Sequence, residues 1–541
     1  MKRRTLQDQL NSEKSRLIAV AASGFFSSLP FFFENLFLLE WVSLIPFFCV
    51  LLSSTEYGKR KAFRYGFLFH LCLSIPVLSW FRELLSMSAI AYPKALMIAV
   101  VSAAVLLISA LQGVLFGFAA LLSRRVIRKP RFAAADMLLC ALLFTIAEII
   151  LSFGRFGFPW VVLYLSQRAF WGGIQTASLF GGHFLSLCIL LCNLLAAKGI
   201  LVLRRTPKKS ISRFAAFAAA LLVFISNLGV SLFLMIPHRN AEKTIDSAVY
   251  QDNHSSYEKW NGSPLSVCEE FIDAFRATYS VDDAPELVLL SETVFTATLA
   301  KENPNIDSIG AQIEQKLCAL TKEYPTTVVC GAFYEKDGKQ YNAQFMFENG
   351  MLSEEIYQKR TLVPFGEYTP YERLLNRVLP FLSEMNLSGD ALTAGREASI
   401  FHSSKANFGG LICYDSIFYR NARDSAKNKA DYLLLSTNDS WYNDSAAIDQ
   451  HYGHAVFRAI ENRKGVVRAA ATGRSGLIDA YGKSLDKSDL FTRCFLRSPL
   501  LSSTEETLFT RFGYGYIWLL LALCLLTRTF FFFRERKGER A

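Results

Sequence analysis

Seven stretches of apolar, almost uncharged sequence fall before residue 237, and an eighth lies near the other end of the chain. They run roughly from Leu17 to Phe33, Leu36 to Leu52, Gly66 to Phe81, Ala95 to Leu122, Ala133 to Phe153, Leu179 to Val202, Phe214 to Ile236 and Tyr516 to Phe533. A helix needs about 20 apolar residues to cross the hydrocarbon layer of a bilayer. The first expectation is therefore a multi-pass α-helical membrane domain of about eight spans. Pro30, Glu34 and Asn35 leave open a hairpin or re-entrant pair in place of the first two crossings.

Charge gives the orientation. The net charge is +11, yet the basic residues sit in short clusters between the apolar runs, which speaks for a membrane protein and against nucleic-acid binding. The clusters are Lys2, Arg3, Arg4, Lys14 and Arg16; Lys59, Arg60, Lys61 and Arg64; Arg124, Arg125, Arg128, Lys129 and Arg131; Arg204, Arg205, Lys208, Lys209 and Arg213; and Arg534, Arg536, Lys537 and Arg540. Eight spans with a cytoplasmic N-terminus put all five on the cytoplasmic side. The loops that then face outward carry few cations, such as Arg82, Lys94, Arg155 and Arg168. This parity divides the chain into a transmembrane domain, 1–236, an extracytoplasmic domain, 237–512, and a last helix with a basic cytoplasmic tail, 513–541. In a bacterium the membrane would be the inner one. The first run has no small-residue cleavage site and is expected to be retained.

The 11 cysteines mark no metal site. Six lie in apolar runs, where Cys acts as a small hydrophobe; the external region holds Cys268, Cys318, Cys330, Cys413 and Cys494, an odd number with no CxxC or Cys/His pattern. No metal and no cofactor are expected.

The external region alternates strands and helices. Leu287 to Glu292, Thr326 to Tyr334, Phe408 to Tyr414 and Asp431 to Asp439 are short apolar runs, most of them ending in polar residues, the pattern of buried strands that open onto a site. Ile306 to Tyr324 and Gln450 to Val467 read as helical, and the Asn349-Gly350 pair between two strand-like runs reads as a hairpin turn. The class is α/β with a mixed sheet.

Three reactive residues stand at strand ends or in the loops beside them: Glu292 after LVLLS, Lys359 in IYQKRTLVPFGEYTP and Cys413 in GGLICYDS. A thiol that attacks a carbonyl, a carboxylate that takes its proton and a cation that meets the oxyanion are the parts of acyl transfer through a thioester. Taken singly, each has a plainer explanation as a surface or core residue.

The words around them resemble the carbon-nitrogen hydrolase (nitrilase) superfamily, and more closely its membrane-bound bacterial branch, the apolipoprotein N-acyltransferases. The resemblance runs through Tyr357 to Tyr368, Ile412 to Asp415, Asn438 to Tyr442 with Trp441, and a helix from Gln450 and His451 through Arg458 and Glu461. In the membrane part it includes Glu148 and Gly157 to Gln167. It implies an α-β-β-α sandwich and a set of roles. Glu292 would be the general base, Cys413 the nucleophile and Lys359 the oxyanion partner, helped by the Tyr414 backbone N–H. Glu367 would hold Lys359 and the attacking amine. Trp260 matches an aromatic position at the substrate mouth, Asn342 an active-site brace, and Asp415 and Trp441 belong to the motifs lining the site. The implied reaction moves a fatty acyl chain from a phospholipid donor, by way of a Cys thioester, to the α-amino group of the lipid-modified N-terminal Cys of an apolipoprotein acceptor.

Some words differ from the family's. Leu290-Ser291 stand where Trp-Pro is common before the acidic residue, Asp415 where Glu is common, and Ala471-Thr472-Gly473 where an Asn-Asn-Gly-like turn is common. None removes a charged member of the triad. The segment from Phe153 to Gln167, with Pro159 and Trp160, is expected at the membrane interface, as part of a lipid doorway or as an aromatic anchor. Glu148, a carboxylate inside a span, is expected to be functional or to face the bundle. Two other readings remain: a membrane-tethered amidase that hydrolyses its thioester, and a lipid transporter or binding protein with an inactive nitrilase-like domain.

Overall fold

In the computed structural model, residues 12–53, 58–86, 93–128, 133–205, 211–236, 242–300, 308–372, 377 and 391–538 are described. Parts of four basic clusters therefore lie outside the described residues, among them Lys2, Lys129, Lys208 and Arg540. Among the described residues, six helical segments are long and apolar enough to cross a membrane: Glu34–Leu52, Lys59–Leu85, Lys94–Ile127, Gly182–Val202, Phe214–Phe233 and Gly515–Arg534. The other two apolar runs form the shorter helices Glu13–Ser28 and Ala133–Ile150. The first of the six is broken rather than continuous. A 3-10 turn and the short helix Glu40–Ser43 precede the helix Ile45–Leu52, where Pro46 near the N-terminus can supply no N–H to a preceding turn.

Among the described residues thirteen strands follow: β1 Glu242–Gln251, β2 Leu287–Leu289, β3 Thr298–Leu299, β4 Thr327–Lys336, β5 Lys339–Glu348, β6 Met351–Gln358, β7 Ile400–His402, β8 Asn407–Ile412, β9 Tyr432–Thr437, β10 Gly465–Ala470, β11 Gly476–Ile478, β12 Ser484–Lys487 and β13 Cys494–Ser503. They form two sheets, ordered β13-β1-β2-β4-β5-β6 with β3 beside β4, and β12-β11-β10-β9-β8-β7. The middle of each is parallel: β1, β2 and β4 in one, β8, β9 and β10 in the other. Every residue of β2, β9 and β10 is buried, as expected of parallel strands covered on both faces.

The sheets pack face to face. Leu287, Leu289, Val329 and Met346 of the first share a core with Phe408, Ile412, Leu434 and Val467 of the second. At Gly410 they approach so closely that a Cβ would lie 2.3 Å from Cγ of Tyr357 and 2.5 Å from Oε1 of Gln344. Helices Pro264–Thr278 and Ile309–Glu323 cover the outer face of the first sheet. Helices Tyr419–Lys427 and Ala447–Asn462 cover the second. The result is an α-β-β-α sandwich, the nitrilase-like architecture. The core outside the second sheet does not stop at its helices: Leu433, Leu435, Phe457 and Ile460 belong to one buried cluster with Phe47, Tyr65 and Leu190 of the membrane bundle.

Two details of the sequence reading meet the structure differently. The hairpin forms with Asn349 and Gly350 at its tip, both at positive φ (52° and 79°), the conformation a two-residue turn requires. The helix expected from Gln450 to Val467 instead spans Ala447–Asn462. Arg463 caps it in the left-handed region, and the β-branched Val466 and Val467 enter β10. An apolar run that crosses a helix end and a buried strand shows no change of period at the boundary.

Candidate active site

The ends of β2, β6 and β8 bring three of the expected residues to one end of the sandwich. Glu292 lies just beyond β2, Lys359 is the first residue after β6, and Cys413 is the first after β8. Cys413 has φ +46° and opens the 3-10 turn Cys413–Ile417, so the chain reverses sharply at the thiol. A side chain on such a turn is held off the strand and presented at its end. All three residues are buried; Cys413 is 7% exposed.

Lys359 Nζ donates to Glu292 Oε1 at 2.9 Å and to Glu367 Oε1 at 2.8 Å. Asn342 Nδ2 donates to the same two oxygens, at 2.8 and 3.3 Å. The other Glu292 oxygen accepts from the Asn438 N–H at 2.9 Å. Glu367 is fixed in turn by the Val363 N–H, 2.8 Å from its Oε2. Burial pushes the Glu292 carboxyl up, but Lys359 and the hydrogen bonds outweigh it and hold the group below its ordinary value. Burial alone would push Lys359 down; the carboxylates beside it reverse this and hold it well above the ordinary lysine value. The thiol is raised as well, for a different reason. Burial pushes Cys413 up, Glu292 adds to the shift, and Lys359 opposes it only in part.

The remaining expected site residues divide. Asn342 stands between the two carboxylates. Its Oδ1 is buried and has no partner among the described residues. Asp415 is wholly buried, and its carboxylate is occupied by the Tyr357 hydroxyl (2.9 Å), the Thr361 and Ile412 N–H groups (2.7 and 3.2 Å) and Asn421 Nδ2 (3.0 Å). It ties the turn to β6 and to the following helix, and it does not line an open surface. Trp260 is 62% exposed at the end of the helix Ser256–Asn261, with one side against Phe333, and so is no core residue. Trp441 is partly exposed in the turn after β9.

Sequence reasoning missed how closely the membrane domain reaches this turn. The Tyr414 hydroxyl donates to the Gly157 carbonyl at 2.9 Å. Trp160 is 1% exposed, so it is not an interfacial anchor: it donates from Nε1 to Gln450 Oε1 at 2.6 Å and stacks on His451. Glu148 faces the bundle interior, where it accepts from the Leu163 N–H at 2.9 Å and pairs with His183 at 3.2 Å. The partners of Tyr414 and Trp160 lie 257 and 290 positions away, so no local signal in the sequence marks those pairings.

Comparison with known proteins follows this division of the chain. Residues 248–490 match the family model for carbon-nitrogen hydrolases, and residues 23–195 match that for the apolipoprotein N-acyltransferase N-terminal domain. An apolipoprotein N-acyltransferase of Thermotoga maritima is 27% identical over 96% of this chain and 93% of its own. That of Geobacter metallireducens is 26% identical over 92% of each, and that of Haemophilus ducreyi 26% identical over 76% of this chain and 78% of its own. Among solved structures, Saccharomyces cerevisiae Nit3, a member of the nitrilase superfamily, covers 48% of this chain at 18% identity and a TM-score of 0.37, with 90% of its own length matched. With the two models matched in order along one chain, and relatives of a single name running nearly its whole length, the chain belongs to the apolipoprotein N-acyltransferase family, the membrane-bound branch of the carbon-nitrogen hydrolases.

Proposed function

We propose that the protein moves a fatty acyl chain from a phospholipid to Cys413, and from Cys413 to the α-amino group of the diacylglyceryl-modified N-terminal Cys of an apolipoprotein. The observation that carries this reading is the nucleophile turn itself. It closes a buried Glu-Lys-Cys cluster on one side and is bonded to the membrane domain on the other, at Tyr414 and Gly157. A hydrolase of small soluble amides has no use for that second attachment.

In the first half-reaction the ester carbonyl carbon of the donor meets the thiol. Sγ forms the new C–S bond, and the thiol proton passes to Glu292. The carbonyl oxygen becomes an oxyanion facing Lys359 and the Tyr414 N–H. Collapse of the tetrahedral intermediate breaks the ester C–O bond, and the proton returns from Glu292 to the departing lysophospholipid oxygen. In the second half the acceptor amine attacks the thioester, gives its proton to Glu292 and releases the thiol. Glu367 and the unpartnered Asn342 Oδ1 are acceptors for the N–H groups of that amine. The order is ping-pong. The active site works outside the cytoplasm, on residues 237–512, with both chain ends inside, in the inner membrane of a bacterium. The clustering of Lys and Arg supports that orientation.

The test is intact mass spectrometry of the purified protein in detergent after incubation with phospholipid. An acyl adduct on the Cys413 peptide is expected, and Cys413→Ala should lack both the adduct and transfer while remaining folded. Transfer by Cys413→Ala at near the parent rate would refute the reading.

A further inference from the structure

A line of buried polar groups runs under the nucleophile turn and ends on its backbone. Arg468 Nη2 donates to Asp439 Oδ2 at 2.6 Å. Asp439 Oδ1 lies 3.0 Å from Nδ1 of His451, and Nε2 of His451 lies 3.2 Å from the carbonyl oxygen of Cys413. All three side chains are wholly buried. The Ser416 hydroxyl donates to the same carbonyl at 2.7 Å, and its oxygen is 3.0 Å from Nε2. A carbonyl oxygen only accepts, so Nε2 carries a proton. The ring is held on its face as well: Trp160 of the membrane domain stacks on it at 5.8 Å between centroids, and Tyr442 meets it edge-on.

The carbonyl of Cys413 and the N–H of Tyr414 belong to one planar, trans peptide unit, so they point in opposite directions. Whatever fixes the carbonyl aims the N–H. Left alone, this unit would be poorly fixed, because Cys413 sits at φ +46°, where a residue with a Cβ is strained. Two donors on the carbonyl also polarise the peptide and strengthen the N–H as a donor at its other end.

We infer that His451 is a positioning residue for the oxyanion hole. It grips the Cys413 carbonyl and so aims the Tyr414 N–H at the oxygen of the tetrahedral intermediate. Arg468 and Asp439 hold its ring from the sandwich side, and Trp160 holds it from the membrane side. This inference rests on the acyl-enzyme reading given above.

The experiment compares two reactions of the same thiol in the full-length protein in detergent micelles. One is acylation of Cys413 by phosphatidylethanolamine, which passes through an oxyanion. The other is alkylation of Cys413 by iodoacetamide, a displacement at saturated carbon that forms none. Both are followed on the Cys413 peptide by mass. His451→Ala and Ser416→Ala each remove one grip on the carbonyl. Each should slow acylation about tenfold to a hundredfold, approaching the loss seen when one oxyanion donor is removed. Alkylation should stay within about threefold of the parent rate, since it needs only the thiol. His451→Gln, whose amide keeps an N–H donor, should recover part of the acylation rate. Equal slowing of both reactions would make His451 a structural support or a thiol activator and overturn the inference, as would no slowing of acylation. If the parent protein is alkylated at Cys413 but never acylated, the acyl-enzyme reading itself fails, and this inference falls with it.

Discussion

Lys359 sits between Glu292 and Glu367, so the cluster beneath the thiol carries two negative charges and one positive. Burial and this balance together disfavour a further anion, which holds the Cys413 thiol up, and the balance favours an approaching ammonium. The thiol therefore stays protonated until an electrophile arrives and the proton has somewhere to go. Glu292→Gln removes the proposed proton acceptor, and Lys359→Met removes the proposed oxyanion partner. Each should slow acyl-enzyme formation by about a thousandfold or more, because groups that act as a unit are not additive. The pH dependence follows from the sign of the Glu292 shift. Its folded-state value is below the ordinary 4.5, so it remains an ionised base at neutral pH and loses that state only as pH falls through the depressed value. The acid limb of the adduct-formation rate should lie below pH 4.5; a limb near pH 6 would show that another group takes the proton. Trp260 stands apart from this cluster on an exposed helix end. If it shapes the mouth for the acceptor, Trp260→Ala should still form the adduct, and the adduct should persist. Loss of the adduct would place Trp260 in donor binding.

The two sheets approach most tightly at one glycine, Gly410 of β8, which lies against Tyr357 of β6 and Gln344 of β5. Gly410→Ala would drive a methyl group into the Tyr357 ring and the Gln344 amide, and Tyr357 also holds Asp415. Overpacking of this kind costs about 1–3 kcal/mol, so the variant should melt several degrees lower in detergent; an unchanged Tm would mean that the sheets slide apart freely. Much at this scale was legible beforehand. LVLL, TVVCGAFY and YLLLST read as strands because uninterrupted apolar runs of that length have few other uses, and Glu292, Lys359 and Cys413 could be placed at their ends. The illegible part has a common cause. Strands β1 and β13 mix buried and exposed positions without a regular alternation, and β10 follows its helix without a change in hydrophobicity. In the sequence His451 stands out only as part of a family-like helix, and Arg468 is not singled out at all. Their meaning lies in the Cys413 carbonyl and in Trp160, neither of which is near them in sequence.

At the scale of the whole molecule, the helix Ala447–Asn462 is sheathed on one side by its sheet and on the other by membrane helices. The sandwich thus sits with one helical layer against the bundle. Reporter fusions at Gly338 should appear outside the cytoplasm and fusions after Lys537 inside; a cytoplasmic Gly338 would reverse the orientation. The same arrangement sets a timetable for the making of the enzyme. Trp160 and its partner Gln450 are 290 residues apart, and a ribosome adds about 5–20 residues per second. Gly157, to which the nucleophile turn is bonded, is made 257 residues before Tyr414, so the wall against which the turn rests must stand unfinished for roughly 13–51 seconds before the turn is made. The last helix, Gly515–Gly538, comes later still and fastens through Arg528 to Asp136 near the start of an early helix. A nascent chain halted anywhere before residue 413 carries a scaffold with no nucleophile, so the thiol appears only after the membrane part that must support it has been made.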